Sequence, residues 1–444
     1  MKYPKVIATL GASFFVIQIL VVLNQNPTAI AYGIPPTNGK LPHASTGITK
    51  IIDEAQESLN RIKQMETSAL LKLRLTLFGD LRSTKYIETN FHDLKVEKVL
   101  FKELRSAAKR LGGNAIGSVE VVQGGFLIIT RDGLVYFFDN LKKAINYLGA
   151  LEEVIGDQSN VIGLRDSLVI EENSSETTMV SSQTYIDIDN KISCFRVKVF
   201  LWKITKLSEI KAIKGPNLFE TRECVSESLA HAAGIGARLT LLGERNAVLL
   251  SLGEMNELHP RNSVYGSIVE ISLGQPGQSK IYSRGFRNPS GIVANMSRVY
   301  VANQGPRGGD TISLVPRGSD FGWPNQSFGT EYAFSGYPNA KNVEEDNRYN
   351  QPDQVFVPSW AFSDLSINRY SRLDFWQNQV GDFDLLATSL KAESLARCRV
   401  SPKDQKVIYC EPIYLGERLR SVSSDSSLIL ILSDGGYIFQ IQRR

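Results

Sequence analysis

The chain contains 444 residues, carries a formal net charge of +4, and 22% of its residues are charged. A chain of this length can bury a large core, and a single all-β domain can occupy most of it. Because acidic and basic residues are interspersed and form no basic patch, the sequence does not indicate a nucleic-acid partner. It contains no Gly-x-Ser-x-Gly, P-loop or dinucleotide-binding motif, so the corresponding hydrolases and nucleotide-dependent enzymes lack support.

Residues 1–31 have the pattern of a targeting segment. Lys2 and Lys5 precede an apolar stretch at residues 6–23, and Ala29-Ile30-Ala31 offers a small-residue cleavage site. The stretch is long for a signal-peptide core and short for a membrane span, which needs about 20 residues. We therefore expect either a signal peptide or an uncleaved membrane anchor through residues 6–23, with the rest of the chain exported to the periplasm or the cell exterior.

Residues 32–85 have the pattern of a linker followed by a helical extension. Apolar residues recur there at helical spacing, with acidic residues early and basic residues late, as the helix dipole favours. The apolar positions are Ile48, Ile51, Ile52, Ala55, Leu59 and Ile62. This amphipathic helix either packs on the domain that follows or contacts a partner or a membrane. Residues 71–77 then alternate leucines with other side chains, which is the period of a half-buried strand.

From residue 86 onward, short strand pairs recur with turn signals between them. Residues 126–130 turn at Arg131-Asp132-Gly133 into 134–138, and residues 428–432 turn at Asp434-Gly435-Gly436 into 437–441. Further strands are predicted at 238–242, 247–251 and 267–272. Small antiparallel sheets repeated around an axis make a β-propeller, which protects strand edges and leaves a central channel for ligands. A β-sandwich with insertions is the alternative, because the repeat is irregular in length.

The chain has four cysteines. Cys398 and Cys410 flank a predicted hairpin that would place them on neighbouring strands, whereas Cys194 and Cys224 are farther apart and their pairing is less well defined. An even number of cysteines in an exported chain favours disulfides, and buried free thiols are the alternative.

Residues 285–324 combine short strands with glycine-rich turns in a way that indicates a binding site. Pro289 restricts Asn288 to an extended backbone and excludes a helix there. Two apolar runs then lead into the loop QGPRGGD at residues 304–310, whose glycines let backbone carbonyls approach a ligand closely. Calcium prefers oxygen ligands, including carbonyls. Taken alone, such a loop is also typical of an ordinary hairpin.

Three elements of this segment, RNPSG at 287–291, QGPRGGD at 304–310 and DFGWP at 320–324, resemble the signature of the glucose/sorbosone dehydrogenase family. These are soluble sugar dehydrogenases that depend on pyrroloquinoline quinone (PQQ). Weaker similarities occur in family order around His231, at 389–391 and at 418–420. The resemblance covers roughly residues 111–441, and it implies an all-β fold, a six-bladed β-propeller, over residues 86–444.

The family mechanism implies a role for each matching residue. His231 would be the catalytic base that accepts the proton of a sugar hydroxyl while hydride leaves the adjacent carbon for the quinone. Arg287 would act both in catalysis and in cofactor binding. The residues that would bind PQQ are Arg287, Asn288, Lys391, Arg418 and Arg420. The carbonyls of Gly305 and Pro306 would hold calcium, so the resemblance implies PQQ and calcium as cofactors, with a sugar substrate and an electron acceptor as partners.

Departures from the family pattern keep other functions open. Ala230 precedes His231 where family members often carry an acid, Glu254 stands where Asp is common, and Thr311 follows Asp310 in place of Glu. The main alternative is a catalytically inactive propeller that binds a carbohydrate or a protein partner. A calcium-dependent lactonase on a similar propeller is a third alternative, and it would need a carboxylate-rich central site.

Overall fold

The structure, a computed structural model, describes residues 82–89, 93–110, 116–151, 161–173, 176–189, 192–205, 211–226, 234–255, 262–330, 348–370 and 383–444. Contacts divide the chain into two units, Met1–Gly79 and Asp80–Arg444. All described residues belong to the second unit, so the predicted targeting segment, the helix at 48–62 and the strand at 71–77 lie outside them. Within the described part, no helix is both long and apolar enough to cross a membrane.

Six antiparallel sheets build the described unit. The chain begins with β1 (Arg82–Glu88), β2 (Asp93–Leu100) and α1 (Lys102–Arg110). Blade 1 consists of β3 (Ile116–Val122), β4 (Gly125–Thr130), β5 (Leu134–Asp139) and β6 (Ala144–Ala150). Blade 2 consists of β7 (Val161–Glu172), β8 (Glu176–Asp189), β9 (Ile192–Thr205) and β10 (Lys211–Glu220), and the short β11 (Val225–Ser226) pairs with β9.

The remaining blades follow in the same manner. Blade 3 consists of β12 (Gly236–Leu242), a 3-10 turn (Gly243–Arg245), β13 (Ala247–Leu252), β14 (Ser267–Ser272) and β15 (Ser279–Arg284). Blade 4 consists of β16 (Asn288–Asn295), β17 (Arg298–Gln304), β18 (Asp310–Leu314) and β19 (Gln354–Phe356). Blade 5 consists of β20 (Phe362–Ile367), β21 (Asp384–Ser389), β22 (Ser394–Val400) and β23 (Val407–Tyr414). Blade 6 contains β24 (Leu419–Ser424), β25 (Ile429–Ser433) and β26 (Tyr437–Arg443).

Strands from both ends of this unit close the ring. Blade 6 has the order β1-β2-β26-β25-β24, and β2 pairs antiparallel with β26. The first strand of every blade contacts the first strands of both neighbours, and the contact between β24 and β3 completes the circle. The six-bladed β-propeller is therefore confirmed, and the β-sandwich is excluded.

A separate apolar layer fills the space between each pair of neighbouring blades. In β25, Ile429 and Ile431 pack toward blade 5, whereas Leu430 and Leu432 pack toward blade 1. Because alternate residues of a strand point to opposite faces, a blade covered on both sides needs apolar residues at every position. Each such buried side chain contributes about 1.5–3 kcal/mol relative to exposure. This explains why β25 has a continuous apolar sequence.

Most predicted strands are confirmed, with ends that differ by a residue or two. The first strand begins at Arg82, so the propeller starts slightly before the predicted boundary at 86. Helix α1 was not predicted. It lies between β2 and β3, and its Leu104 is fully buried in the layer between blades 6 and 1.

The structure pairs all four cysteines, as the disulfide interpretation predicted. Cys398 and Cys410 are direct cross-strand partners on β22 and β23. Cys194 on β9 bonds to Cys224, which lies just before β11. The second bond therefore ties the end of blade 2 back to its own sheet.

Candidate functional site

The topology brings the family-like motifs to one end of the propeller. Because neighbouring strands are antiparallel, the first strand of a blade begins at the end where its second and third strands are joined. Residues 287–288 lie at the start of β16, and residues 418–420 lie at the start of β24. The loop 305–309 joins β17 to β18, and Lys391 lies between β21 and β22. We call this end of the propeller the motif face.

A tight joint at Gly285 holds the first and last parts of the signature together. Gly285 has a φ of +83°, and a Cβ there would collide with the side chain of Asp320 and with the backbone at Phe321. The amide of Phe321 donates to the carbonyl of Arg284 at 3.0 Å, and the amide of Trp323 donates to the carbonyl of Gly285 at 3.2 Å. The glycine therefore places Trp323 beside the residues that follow Gly285.

Asp310 fixes the conformation of the loop 305–309. Its side chain is fully buried, and its Oδ1 accepts the Gly305 amide at 3.0 Å. Its Oδ2 accepts the Ser359 hydroxyl and the Trp360 amide, both at 2.7 Å, and the Ala361 amide at 2.6 Å. Burial raises the pKa of the Asp310 carboxyl, although these donors oppose the shift. One carboxylate thus joins the loop to the segment that enters blade 5.

Arg287 reaches from blade 4 across this loop. Its Nη1 donates to the Gly305 carbonyl at 2.9 Å, and its Nε lies 3.9 Å from a carboxylate oxygen of Glu254. Its guanidinium carbon lies 6.0 Å from the centre of the Trp323 ring, within reach of a cation–π interaction. The predicted catalytic arginine and the predicted calcium ligand Gly305 are therefore direct neighbours. A backbone hydrogen bond also joins Glu254 to Arg287, from the Glu254 amide to the Arg287 carbonyl at 2.9 Å.

Asn288 is buried next to Arg287. Its Nδ2 donates to the Gln304 side chain at 3.1 Å, and its amide donates to Asn303 Oδ1 at 3.0 Å. Its Oδ1 is buried and has no hydrogen-bond donor among the described residues. A buried acceptor without a donor is costly, so this oxygen is a candidate contact for a ligand.

The two arginines near the C terminus share one carboxylate. Asp434, in the turn between β25 and β26, accepts Arg420 Nε and Nη2, each at 2.8 Å, and Arg418 Nε at 3.2 Å. The Arg418 side chain is 54% exposed, whereas that of Arg420 is only 18% exposed. Lys391 is exposed, and its backbone amide is fixed by the Trp360 carbonyl at 3.0 Å. The structure therefore places all three predicted cations on the motif face.

Arg238, on β12, crosses the centre of the ring. Its guanidinium donates to the carbonyls of Gly117 at 3.3 Å, Ser363 at 2.7 Å and Arg420 at 3.2 Å, and to Asp166 at 3.2 Å. These acceptors belong to blades 1, 5, 6 and 2. One buried side chain thus links five blades.

The opposite end of the channel is a cavity of about 790 Å³ that is lined by the ends of the inner strands. Glu120, Asp166, Asp364 and Arg369 contribute to its polar lining. Burial raises the pKa of Asp166 to about 7 against the opposing charge of Arg238. Burial, and then the charges of Asp166 and Asp364, raise the pKa of Glu120 well above its usual value. Among the described residues, no group of three His, Cys, Asp or Glu side chains could hold a metal ion.

One predicted site residue, His231, lies outside the residues that the structure describes. His231 and Ala230 fall in residues 227–233, outside the described ranges, so the role of His231 stays a prediction.

The sequence did not identify Asp434 or Asp310 as the residues that hold the motif face together. Asp434 was recognised only as part of a turn, and Asp310 only as the end of a loop. The useful signal was their position in the second turn of a blade, which faces the same end as the motifs.

The fold is a six-bladed propeller whose motif face carries several cations. The model of the family "Glucose / Sorbosone dehydrogenase" matches residues 118–439, so the chain belongs to this family. An aldose sugar dehydrogenase of Escherichia coli, YliI, is 24% identical over 222 residues, which are 45% of this chain and 57% of the relative. An uncharacterized protein of Synechocystis, slr1608, is 29% identical over 145 residues, or 32% of this chain and 33% of the relative.

A third relative, quinoprotein glucose dehydrogenase B of Acinetobacter calcoaceticus, is 35% identical over 68 residues, 14% of each chain. The chain thus matches less than two thirds of the length of each of these relatives. Among solved structures, the apo-form of the E. coli soluble aldose sugar dehydrogenase has a TM-score of 0.59 at 21% identity, covering 74% of this chain and 97% of that one. The PQQ-bound aldose sugar dehydrogenase of Streptomyces coelicolor has a TM-score of 0.54 at 15% identity, covering 81% and 98%. These likenesses show the shared fold.

Proposed function

We propose that this protein is a PQQ-dependent sugar dehydrogenase that oxidises a hydroxyl of an aldose-type sugar with the help of calcium. The observation that carries the proposal is the gathering of cations and of the loop 305–309 on one face of the propeller. The cofactor residues in this proposal are Arg287, Asn288, Lys391, Arg418 and Arg420. Family membership and the names of two relatives, an aldose sugar dehydrogenase and a quinoprotein glucose dehydrogenase, support the same class of reaction.

The motif face fits a flat, polyanionic cofactor. PQQ carries three carboxylates, and guanidinium groups bind carboxylates through paired, charge-assisted hydrogen bonds. Lys391 and Arg418 are accessible from solvent, and the less exposed Arg420 is held in place by Asp434. The buried Oδ1 of Asn288, which has no donor among the described residues, would accept a hydrogen bond from the ligand. The face therefore offers both charge and a specific polar contact.

Calcium is proposed to bind the carbonyls of Gly305 and Pro306. The Gly305 carbonyl already accepts Arg287 Nη1 at 2.9 Å, but a carbonyl oxygen has two lone pairs and can serve a second partner. Asp310 holds the backbone of this loop in position, so little ordering is needed on binding. When bound, PQQ would supply the electron acceptor for the hydride and calcium would polarise it as a Lewis acid.

In the proposed reaction, the sugar loses a hydride from carbon and a proton from the attached hydroxyl, and the C–O single bond becomes a carbonyl. His231 is proposed to accept the proton. Arg287, which is positioned by Gly305 and Glu254, would stabilise the negative charge that develops on the hydride acceptor. An external electron acceptor would then be needed to regenerate the oxidised form of PQQ.

A second candidate is a catalytically inactive propeller that binds a carbohydrate or a protein partner. The observation that favours it is the internal pairing of the predicted cofactor cations. Arg418 and Arg420 already bind Asp434, and Arg287 binds the Gly305 carbonyl. In this alternative, the cations stabilise the blades rather than hold a ligand.

The two disulfides support the proposal that the protein is exported to the periplasm or the cell exterior, because disulfides persist in oxidising compartments. A membrane tether through residues 6–23 stays a prediction. Sequencing the N terminus of protein recovered from the cell envelope would distinguish a cleaved signal from a retained anchor.

The activity is tested by incubating the full chain with PQQ and calcium and then adding aldoses with a redox dye. We expect dye reduction that depends on the sugar, and we expect His231→Ala to abolish it while PQQ binding is retained. His92→Ala serves as a matched histidine control with normal activity. Saturable sugar binding without dye reduction would favour the inactive propeller, and the absence of both would overturn the dehydrogenase proposal.

A further inference from the structure

Each inner strand of the propeller has an irregularity in its pairing close to the motif face. A bulge of this kind re-aims a side chain relative to the regular pleat. One residue at such an irregularity in each of the six inner strands is, in chain order, Gly117, Arg165, Arg238, Ser290, Ser363 and Arg420. Three of the six are arginines, on blades 2, 3 and 6. Arg238 and Arg420 have carboxylate partners, in Asp166 and Asp434.

Arg165 has a different environment. Its Nε donates to the hydroxyl of Thr184 at 2.9 Å. Its Nη2 is buried and has no hydrogen-bond acceptor among the described residues. A guanidinium nitrogen that is buried without an acceptor loses its hydration and gains nothing in exchange. The Nη2 group of Arg165 can therefore donate a hydrogen bond to an acceptor supplied by a ligand.

A second arginine, Arg131, packs against the strand that carries Arg165. Arg131 lies in the turn between β4 and β5, and its carbonyl accepts the Leu164 amide at 2.8 Å. Gly163 leaves the space for it, since a Cβ there would lie 2.6 Å from Arg131 Cγ. The turn that carries Arg131 is the counterpart in blade 1 of the turns that carry Lys391 and Asp434. Arg131 and Arg165 therefore belong to the motif face, on blades 1 and 2.

Three other guanidinium groups are close enough to act electrostatically on Arg165. Burial, and then the charges of Arg131, Arg420 and Arg238, lower the pKa of Arg165 well below its usual value. Burial and the charge of Arg420 also lower the pKa of Arg131. An anion placed among these groups would relieve their repulsion and complete the hydrogen bonding of Arg165.

We propose that Arg165 and Arg131 form an anion subsite that takes a carboxylate or phosphate group at the edge of the cofactor site. Its residues come from blades 1 and 2, whereas the cofactor cations of the family motifs come from blades 4, 5 and 6. The proposal deepens the dehydrogenase function and rests on it for the identity of the ligand, which is either a carboxylate of PQQ or an acidic substituent of the sugar. Guanidinium suits both, because its fork matches two oxygens of either group.

The subsite is tested first with inorganic phosphate, which does not depend on the proposed function. Phosphate is titrated calorimetrically into the full chain at low ionic strength, for the wild type, Arg165→Gln, Arg165→Lys and Arg298→Gln. Arg298, the exposed first residue of β17 at the opposite end, is the matched control. We expect Arg165→Gln to weaken phosphate binding by about tenfold or more, Arg165→Lys to retain part of it, and Arg298→Gln to change nothing. Thermal unfolding of each variant verifies that it is folded.

Two further arms identify the source of the anion. If PQQ is the source, Arg165→Gln weakens equilibrium binding of PQQ by a similar factor. If the sugar is the source, PQQ binding is unchanged, and Arg165→Gln raises the KM for a uronic acid while leaving the KM for the matching neutral aldose unaltered. Phosphate binding that is absent in the wild type, or equal in the folded Arg165→Gln variant, overturns the subsite. Phosphate binding with no sugar oxidation overturns the dehydrogenase proposal and leaves the subsite standing.

Discussion

Single arginines organise the polar contacts around the axis of this propeller. Arg238 joins the carbonyls of three other blades, Arg420 is held by both oxygens of Asp434, and Arg287 is fixed between Gly305 and Glu254. Guanidinium suits these positions because it remains charged when buried and its donors point in fixed directions. The side chains proposed to meet a ligand are therefore ordered before the ligand arrives, which lowers the entropy cost of binding.

Glu120 offers a test of the electrostatics at the opposite end of the channel. Its pKa is raised well above the ordinary value of 4.5, first by burial. The folded protein then holds a proton that the unfolded chain releases, so stability falls as the pH rises above that value. We expect Glu120→Gln to remove this fall, so that the variant gains stability relative to the wild type as the pH rises above 4.5. Urea denaturation at a series of pH values measures the difference.

The matched control for Glu120 is Glu171→Gln, because Glu171 lines the same cavity but is exposed. Its pH profile should follow that of the wild type. If Glu120→Gln has the same pH dependence as the wild type, the carboxyl of Glu120 is not held in its neutral form.

The sequence predicted the residues of the motif face better than it predicted their partners. Arg287, Asn288, Gly305 and Arg420 were found because they stand in short motifs with a recognisable spacing. The partner of Arg420, Asp434, lies across a hairpin in a turn with no distinctive chemistry. Contacts of that kind depend on which turns share an end of the propeller, and this follows only once the blade order is known.

At the scale of strands and loops, too, some elements were predicted from the sequence and others were not. The strand β25 was predicted from its continuous apolar run, which both faces of a covered blade require. The long strands β8 and β9 of blade 2 were not predicted, because hydroxyl-bearing residues interrupt the apolar pattern of β8. Its buried Ser181 accepts Trp202 Nε1 at 2.7 Å, and its buried Ser182 donates to the Ala237 carbonyl at 2.5 Å. Buried hydroxyls with partners are compatible with a core, but their sequence resembles that of an exposed segment.

The loop 305–309 should depend on Asp310 for its conformation. In Asp310→Asn, an amide nitrogen replaces one carboxylate oxygen, and this nitrogen cannot accept the hydrogen bonds that the oxygen accepted. We expect the free energy of unfolding to fall by about 2–4 kcal/mol, as for a buried hydrogen-bonded group that loses its partners. Urea denaturation measures the loss. The exposed Asp93→Asn is the control and should be neutral. Equal stability of the two variants would show that Asp310 does not organise the loop.

The disulfide within blade 5 should stabilise the propeller by restricting its unfolded chain. Cys398 and Cys410 are separated by 12 residues, and closing a loop of this size contributes about 3 kcal/mol. We expect Cys398→Ala with Cys410→Ala to lose about this amount in urea denaturation. A double variant that is as stable as the oxidised wild type would contradict a stabilising role.

At the scale of the whole molecule, stability depends on the closure of blade 6 by strands from both ends of the unit. Leu94 on β2 is fully buried in the layer that also contains Phe439 and Ile441 of β26. We expect Leu94→Ala to cost about 3 kcal/mol through the cavity it leaves. Because the blades form a closed ring, we also expect one transition, with tryptophan fluorescence and circular dichroism changing together.

Tyr86→Ala on β1 is the control for ring closure, since Tyr86 is 59% exposed and its removal should change stability little. Release of β1 and β2 in a separate early transition of Leu94→Ala would contradict cooperative closure. The closed ring could be predicted from the family resemblance, whereas the pairing of β2 with β26 required the structure.

The most direct test of the central claim is an equilibrium titration of the full chain with PQQ, with and without calcium, for the wild type and Arg287→Gln. We expect saturable binding that calcium strengthens, and a loss of affinity of about tenfold or more in Arg287→Gln, because a charge-assisted hydrogen bond is removed. No binding at micromolar PQQ, or equal affinity of the two proteins, would contradict it. In that case the motif face would serve the architecture of the propeller or a different ligand.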